Sequence, residues 1–339
     1  MEKQRKSSSG IPKRQSGNDE TLSIIKWFDE ALRLNQPDAQ YQLGKSYFEG
    51  KGINKDEKEA VRWFRMAAEQ NHSGAQYMLG LCYGTGHGAP QKQSEAIKWY
   101  CKAANQGHAE AQYKLGLYYS AGRVVVRNYT EAFKWFYKSA LQNYAEAQYE
   151  VGRCYEYGRG VSMDSKEANV WFQKAATLGS SNAQYHLGCD YYFRNGGTKN
   201  DEIEAVKWFM KAAKQGHMYA QTLLGKCYFY GCGIVENSQE AVKWYQKAAK
   251  QGDVDAQFAL GEYYKNSISD GNYKKSAKWY RMAAEQGHKE AQYELGECYY
   301  FGHGVEEDEE EALKWYLKSA EQKHPEALYK VSILKPKSE

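Results

Sequence analysis

Three residues, Ala-Gln followed by Tyr, Phe or Thr, return along this chain at nearly constant intervals. They begin at Ala39, Ala75, Ala111, Ala147, Ala183, Ala220, Ala256 and Ala291, with a degenerate copy at Ala327. The steps are 36, 36, 36, 36, 37, 36, 35 and 36 residues. A second marker keeps the same register: all nine tryptophans (Trp27, Trp63, Trp99, Trp135, Trp171, Trp208, Trp244, Trp279 and Trp315) are followed by Phe or Tyr. A period of this length marks a chain that stacks one supersecondary unit on the next, with no single core that must close. The 339 residues, which would otherwise suggest two domains, are therefore expected to form one array. Its expected span is 21–333: a half-repeat at 21–38, full repeats from 39, 75, 111, 147, 183, 220, 256 and 291, and a half-repeat at 324–333. The basic, Ser-rich residues 1–20 read as a disordered tail by composition, and 334–339 as a polar tail.

Each repeat holds two helical patterns. Helix A (Ala-Gln-Tyr-x-Leu-Gly-x-x-Tyr) is apolar or small at repeat positions one, three, five, six and nine. Helix B shows the i, i+3, i+4, i+7, i+8 spacing of one apolar face, as in Ala60, Trp63, Phe64, Ala67 and Ala68. Between them lies Gly-x-Gly, for example Gly86/Gly88 and Gly231/Gly233, a stop signal because glycine takes the left-handed conformation that ends a helix. A glycine also sits inside each helix A (Gly44, Gly80, Gly116, Gly152, Gly188, Gly225, Gly261 and Gly296). At about 1 kcal/mol against Ala each, such glycines are expected only where two backbones approach closely, with the tryptophan filling the space beside them.

Composition narrows the function classes. With 46 basic and 42 acidic residues the net charge is +4, too balanced to predict nucleic-acid binding. No apolar run reaches the ~20 residues of a membrane span, and no apolar segment follows the basic N-terminus as in a secretory signal. A cytoplasmic, monomeric protein is expected. Its seven cysteines should then be reduced. Cys82, Cys154, Cys227 and Cys298 recur at one register about two repeats apart, so they are expected to be small buried or groove-lining residues and not a disulfide or zinc framework.

Several constellations are set aside. His72, His108, His217, His288 and His324 recur after helix B without metal-ligand spacing and are expected to be turn or C-cap residues. Ser23-Ile-Ile-Lys26 matches the Ser-x-x-Lys of serine β-lactamases, but neither Ser-Asp-Asn nor Lys-Thr-Gly accompanies it. The acidic run 306–311 is expected to complement a helix N-terminus. No glycine loop matches the phosphate-cradling Gly-x-x-x-x-Gly-Lys-(Ser/Thr). No catalytic residue, cofactor or metal site is expected.

The consensus AQYxLGxxYxxGxGVxxDxxEAxxWYxKAAxQGHxE resembles the Sel1-like repeat, a longer relative of the tetratricopeptide repeat, over about 21–333. The resemblance implies an all-α, right-handed superhelical α/α solenoid of about eight helix pairs, with helix A on the concave side. It also implies a non-enzymatic scaffold or adaptor that binds a protein or peptide. Two alternatives are an effector exported by a non-Sec route and, from another class, a β-lactam or cell-wall peptide hydrolase. The second lacks the paired helix-end cysteines of the family branch linked to β-lactam binding. Departures from the consensus gather in loops: 121–127, where Val124 replaces the second glycine, 195–200, and 265–273. These loops are expected to bend the array or set specificity.

The periodicity also points to a binding face. At 100° per residue, positions four, seven and eleven of helix A lie opposite its constant positions. They carry Tyr157, Phe193, Tyr230 and Phe301 at position eleven, and Met78, His186 and Leu223 at position four. Position seven supplies Leu81, Leu117, Arg153 and Lys226. An aromatic stripe with apolar and charged neighbours suits a docked peptide or helix.

Overall fold

In a computed structural model, the described residues are 19–194, 197–266 and 270–334, with side chains described from 26 onward except that of 270. Of the expected tails at 1–20 and 334–339, residues 1–18 and 335–339 lie outside the described residues, as do the loop positions 195–196 and 267–269, whereas residues 19–20 open α1 and Leu334 ends α18.

Among these residues there are eighteen helices and no strand. In chain order they are α1 (Asp19–Arg33), α2 (Pro37–Glu49), α3 (Glu57–Glu69), α4 (Ser73–Thr85), α5 (Gln93–Asn105), α6 (Ala109–Ala121), α7 (Tyr129–Ala140), α8 (Ala145–Tyr157) and α9 (Ser165–Thr177). There follow α10 (Ser181–Tyr192), α11 (Lys199–Lys214), α12 (Met218–Tyr230), α13 (Ser238–Lys250), α14 (Val254–Lys265), α15 (Asp270–Glu285), α16 (Lys289–Tyr300), α17 (Glu309–Glu321) and α18 (Pro325–Leu334). Even-numbered helices are the A helices and odd-numbered ones the B helices, so the chain is an all-α solenoid of helix pairs. The described residues group into two compact units, one up to Leu178 with α1–α9 and one from Gly179 with α10–α18.

Local chemistry sets the helix ends. Gly50, Gly86, Gly122, Gly158 and Gly231 close A helices in the left-handed conformation, each donating its N–H to the carbonyl four residues back, of Ser46, Cys82, Tyr118, Cys154 and Cys227 in turn. B helices open on side-chain caps: the Asp56, Asn128, Asp164, Asn237 and Asp308 carboxylate or amide oxygens accept first-turn N–H groups at 2.9–3.0 Å. Asp308 with Glu309–Glu311 in the first turn of α17 fits the expectation for the acidic run.

The packing corrects one expectation. The side chain against each helix-A glycine is not the tryptophan but the aromatic residue that follows it. Phe64, Tyr100, Phe136, Phe172, Phe209, Tyr245, Tyr280 and Tyr316 are all buried, each lying flat over the glycine of its own repeat. A Cβ on these glycines would come within 2.4–2.8 Å of the ring. The tryptophan turns the other way and packs back onto the preceding helix pair. Trp63 joins Ala31, Ala39 and Leu43; Trp171 joins the α7–α8 core and meets Tyr137 edge-on at 5.6 Å; Trp244 and Trp315 repeat this on α11–α12 and α15–α16. One aromatic therefore closes the pair and its neighbour joins pairs together. Outside, a lysine three residues on covers six of the indoles, as in Lys102 over Trp99 at 4.2 Å and Lys247 over Trp244 at 3.8 Å.

The Gln of each Ala-Gln marker adds a polar tie. In the N-terminal unit, buried Gln76 donates to the Ala68 carbonyl at 3.1 Å while its Oε1 accepts from Gln106 at 2.7 Å. Gln112 does the same with Ala104 and Gln142 at 3.1 and 2.9 Å. In the C-terminal unit Gln221, Gln257 and Gln292 are matched by Gln251, Gln286 and Gln322 at 2.8–2.9 Å.

Candidate functional site

Helix A divides into a constant buried side and a variable face. All eight residues at position eleven are exposed, from Glu49 to Phe301, whereas those at positions four and seven are half-buried. Position eleven is the last residue of its helix in α2, α4, α6, α8 and α12 and the C-cap just past it in α10, α14 and α16. Tyr157, Phe193, Tyr230 and Phe301 are 56%, 65%, 68% and 52% exposed, unusual for residues of this size.

In the N-terminal unit Tyr157 lies under the Arg159 guanidinium at 5.0 Å. Arg153 is committed to Glu150 at 3.2 Å. Leu81 and Leu117 share a cavity of about 440 Å³, whereas Met78 packs on the core around Leu79 and Phe64. In the C-terminal unit Phe193 meets Tyr192 edge-on at 4.9 Å, and His186 lies 3.5 Å from Asp190. Leu223 packs on the core of Phe209 and Leu224. Phe301 stacks on His303 at 5.6 Å with the Lys330 ammonium 5.2 Å from its ring.

Lys226 and Tyr230 are brought together at a cavity of about 530 Å³, with Phe229, Phe258, Glu262 and His288 in its wall. Lys226 reaches Asp255 on the next A helix at 3.8 Å, Lys265 pairs with Glu294 at 2.5 Å, and Glu297 with Lys330 at 2.8 Å. Tyr280 and Tyr316 donate from below to Glu262 and Glu297. Burial pushes the Glu294 carboxyl up, and the Lys265 contact opposes that. Phe258 occupies a constant position, the third of its repeat, so the repeat pattern marked it as a packing residue, and nothing in its spacing signals that part of the ring faces a cavity; Phe229, at position ten, belongs neither to the constant positions nor to the predicted binding face.

The histidines need a second correction. They are not C-caps of helix B but N-caps of the helix A that follows: the Nδ1 atoms of His72, His217, His288 and His324 accept the backbone N–H three residues on at 3.0–3.4 Å. Each ring also stacks on an aromatic of the preceding A helix, as His217 on Tyr185 at 4.5 Å and His288 on Phe258 at 4.6 Å. Burial holds His108, His217 and His288 below the usual imidazole range. The cysteines are all free, and burial pushes the thiols of Cys82, Cys154, Cys227 and Cys298 up to about 12. Among the described residues no three His, Cys, Asp or Glu side chains could hold a metal ion. No described helix is long and apolar enough to cross a membrane. The Ser23 side chain lies outside the described ones, within α1.

Comparison with known proteins agrees with this geometry. The Sel1 repeat model matches eight consecutive stretches: 37–72, 73–108, 109–144, 145–180, 181–217, 219–253, 254–288 and 289–324. Among solved structures, a protective antigen of uropathogenic Escherichia coli strains with an SLR fold is 36% identical, with a TM-score of 0.71. The match covers 92% of this chain and 66% of that one, so the chain spans a little under two thirds of that relative's length. A Sel1 repeat protein from Oxalobacter formigenes is 33% identical over 67% of this chain and 93% of its own, with a TM-score of 0.61. A search of curated proteins finds no significant match. On the eight matched repeats and these two neighbours, the chain belongs to the Sel1 repeat family.

Proposed function

We propose that this chain is a non-enzymatic scaffold whose helix-A face holds a segment of a partner protein. The observation that carries the reading is the division of helix A, which keeps its constant residues buried while all eight residues at position eleven stay exposed, four of them aromatic. Large exposed aromatics next to charge are the usual anchors of protein interfaces. The cavity beside Tyr230 has the size of a pocket for one or two inserted side chains. Thiols held at about 12 are poor nucleophiles, which supports a binding role over a catalytic one.

The test is a Tyr157→Ala, Phe193→Ala, Tyr230→Ala triple variant. Each residue is more than half exposed, so the melt should shift little, by about 0.5 kcal/mol per site or less, while capture of the native partner is lost. Unchanged capture, or a collapsed melt that makes these rings packing residues, overturns the reading. A cytoplasmic setting fits it. A second reading, export to meet host proteins, is favoured by the similarity to a chain described as a protective antigen; secretion assays with and without residues 1–20 separate the two.

A further inference from the structure

The N-terminal unit carries a cavity of about 440 Å³ between α4 and α6. Its floor is Leu81, Leu117, Tyr100 and Tyr118, and its only charged lining residues are Lys114 and Arg123.

The cavity traces to one loop. In the regular loops the second glycine of Gly-x-Gly rests on the preceding helix B at the residue 31 positions earlier: Gly88 on Glu57, Gly160 on Tyr129, Gly233 on Glu202 and Gly304 on Tyr273. A Cβ there would fall 2.0–2.3 Å from that residue's backbone, and each glycine has φ between 67° and 77°. In loop 121–127 the same position is Val124 and the residue 31 earlier is Gln93. Valine has the Cβ that forbids this approach, and it is not among the residues with positive φ. Val124 is instead 41% exposed, and it and Gln93 both line the cavity.

Three polar side chains of the wall are already engaged. Gln93 donates to the Gly84 carbonyl at 2.8 Å and accepts from the Tyr118 hydroxyl, while Thr85 donates to the Leu81 carbonyl at 2.9 Å. By contrast, neither Lys114 nor Arg123 has an ion-pair partner among the described residues. A largely apolar floor, with Gln93, Thr85 and Tyr118 already hydrogen-bonded and two cations without ion-pair partners at its edge, is complementary to an apolar side chain flanked by carboxylates.

We propose that this cavity docks an acidic, apolar segment of a partner protein, with an aliphatic or aromatic side chain between Leu81, Leu117 and Val124 and Asp or Glu side chains on Lys114 and Arg123. The proposal rests on the reading of the helix-A face as a binding face but uses none of the exposed aromatics, so its failure can be told apart from theirs.

The probe is a short fluorescein-labelled peptide alternating Glu and Leu, with counterparts carrying Gln or Lys in place of Glu, titrated with the full chain by anisotropy. The Glu peptide should bind about tenfold more tightly than the Gln peptide, and less so in high salt. A Lys114→Glu, Arg123→Glu variant should lose that factor and shift preference to the Lys peptide, with an unchanged circular dichroism melt. Leu117→Ser should weaken the Glu and Gln peptides alike. If the double variant unfolds, Lys114→Gln and Arg123→Gln must each weaken the Glu peptide several-fold. Equal binding of the Glu and Gln peptides, indifference to these variants, or equally tight displacement by a single-stranded oligonucleotide overturns the proposal.

Discussion

Leu178→Gln is the sharpest test of how the repeats are tied together. In the N-terminal unit the buried amides of Gln76 and Gln112 each receive a hydrogen bond from a glutamine 30 residues on, Gln106 and Gln142. Gln148 is equally buried and donates to the Ala140 carbonyl at 3.1 Å, but its Oε1 has no partner, because the residue 30 positions on is Leu178. A buried acceptor left unmet costs about 1–3 kcal/mol. Leu178 is 49% exposed, so removing it forfeits little apolar burial, and ordering a glutamine side chain takes back about 1 kcal/mol. The net gain should be up to about 2 kcal/mol, centred near about 1, a rise of roughly 2–4 °C per kcal/mol for a unit of this size. Gln106→Leu is the reciprocal change, leaving Gln76 unmet, and should destabilise by about 1–3 kcal/mol. Calorimetry reads both shifts, and amide exchange around 140–152 localises the first, since repeat stability is largely a sum of local terms. No stabilisation by Leu178→Gln, alongside a measurable loss for Gln106→Leu, would refute the idea that pairing of these amides carries the effect.

Gly116→Ala should destabilise by about 1–3 kcal/mol despite alanine's better helix propensity, because its Cβ would sit 2.4 Å from the Phe136 ring. Adding Phe136→Leu should recover part of the loss in urea titrations, and failure to recover would mean the glycine serves another contact. Trp171→Ala, which removes an indole 5% exposed in the α7–α8 core, should cost about 3–5 kcal/mol in the same assay; a loss under about 1 kcal/mol would show that the join between helix pairs lies elsewhere. His217 and His288 have folded pKa values below the ordinary ~6.5. The unfolded chain therefore binds their protons first: their contribution is fully present above about pH 6.5 and is lost as the pH falls below it toward their folded values. Melts between pH 7.5 and 5 should show that decline, and His217→Asn, which keeps a capping acceptor, should flatten it.

The repeat register, the alternation of two helices and their glycine stops were legible in the sequence because each rests on spacing or local backbone chemistry. Ala39 to Ala327 set the period, and Gly86 ends α4 whatever lies around it. The exposure of Tyr157, Phe193, Tyr230 and Phe301 was legible in the helical periodicity that sets position eleven opposite the constant residues, but the same periodicity did not tell that positions four and seven would be half-buried. Neighbouring positions with different partners were not legible. Trp135 and Phe136 are adjacent apolar residues about 100° apart on one helix, and only the geometry of the pair sends Phe136 to Gly116 and the indole back to the previous repeat. His217 lies where one helix ends and the next begins, so its spacing fits either cap; the Nδ1 contact with the Ala220 N–H decides for the second. Val124 stood out in the sequence as a departure. That it leaves an apolar cavity edged by Lys114 and Arg123 depends on how closely the regular loops approach the preceding helix, a distance only tertiary packing sets.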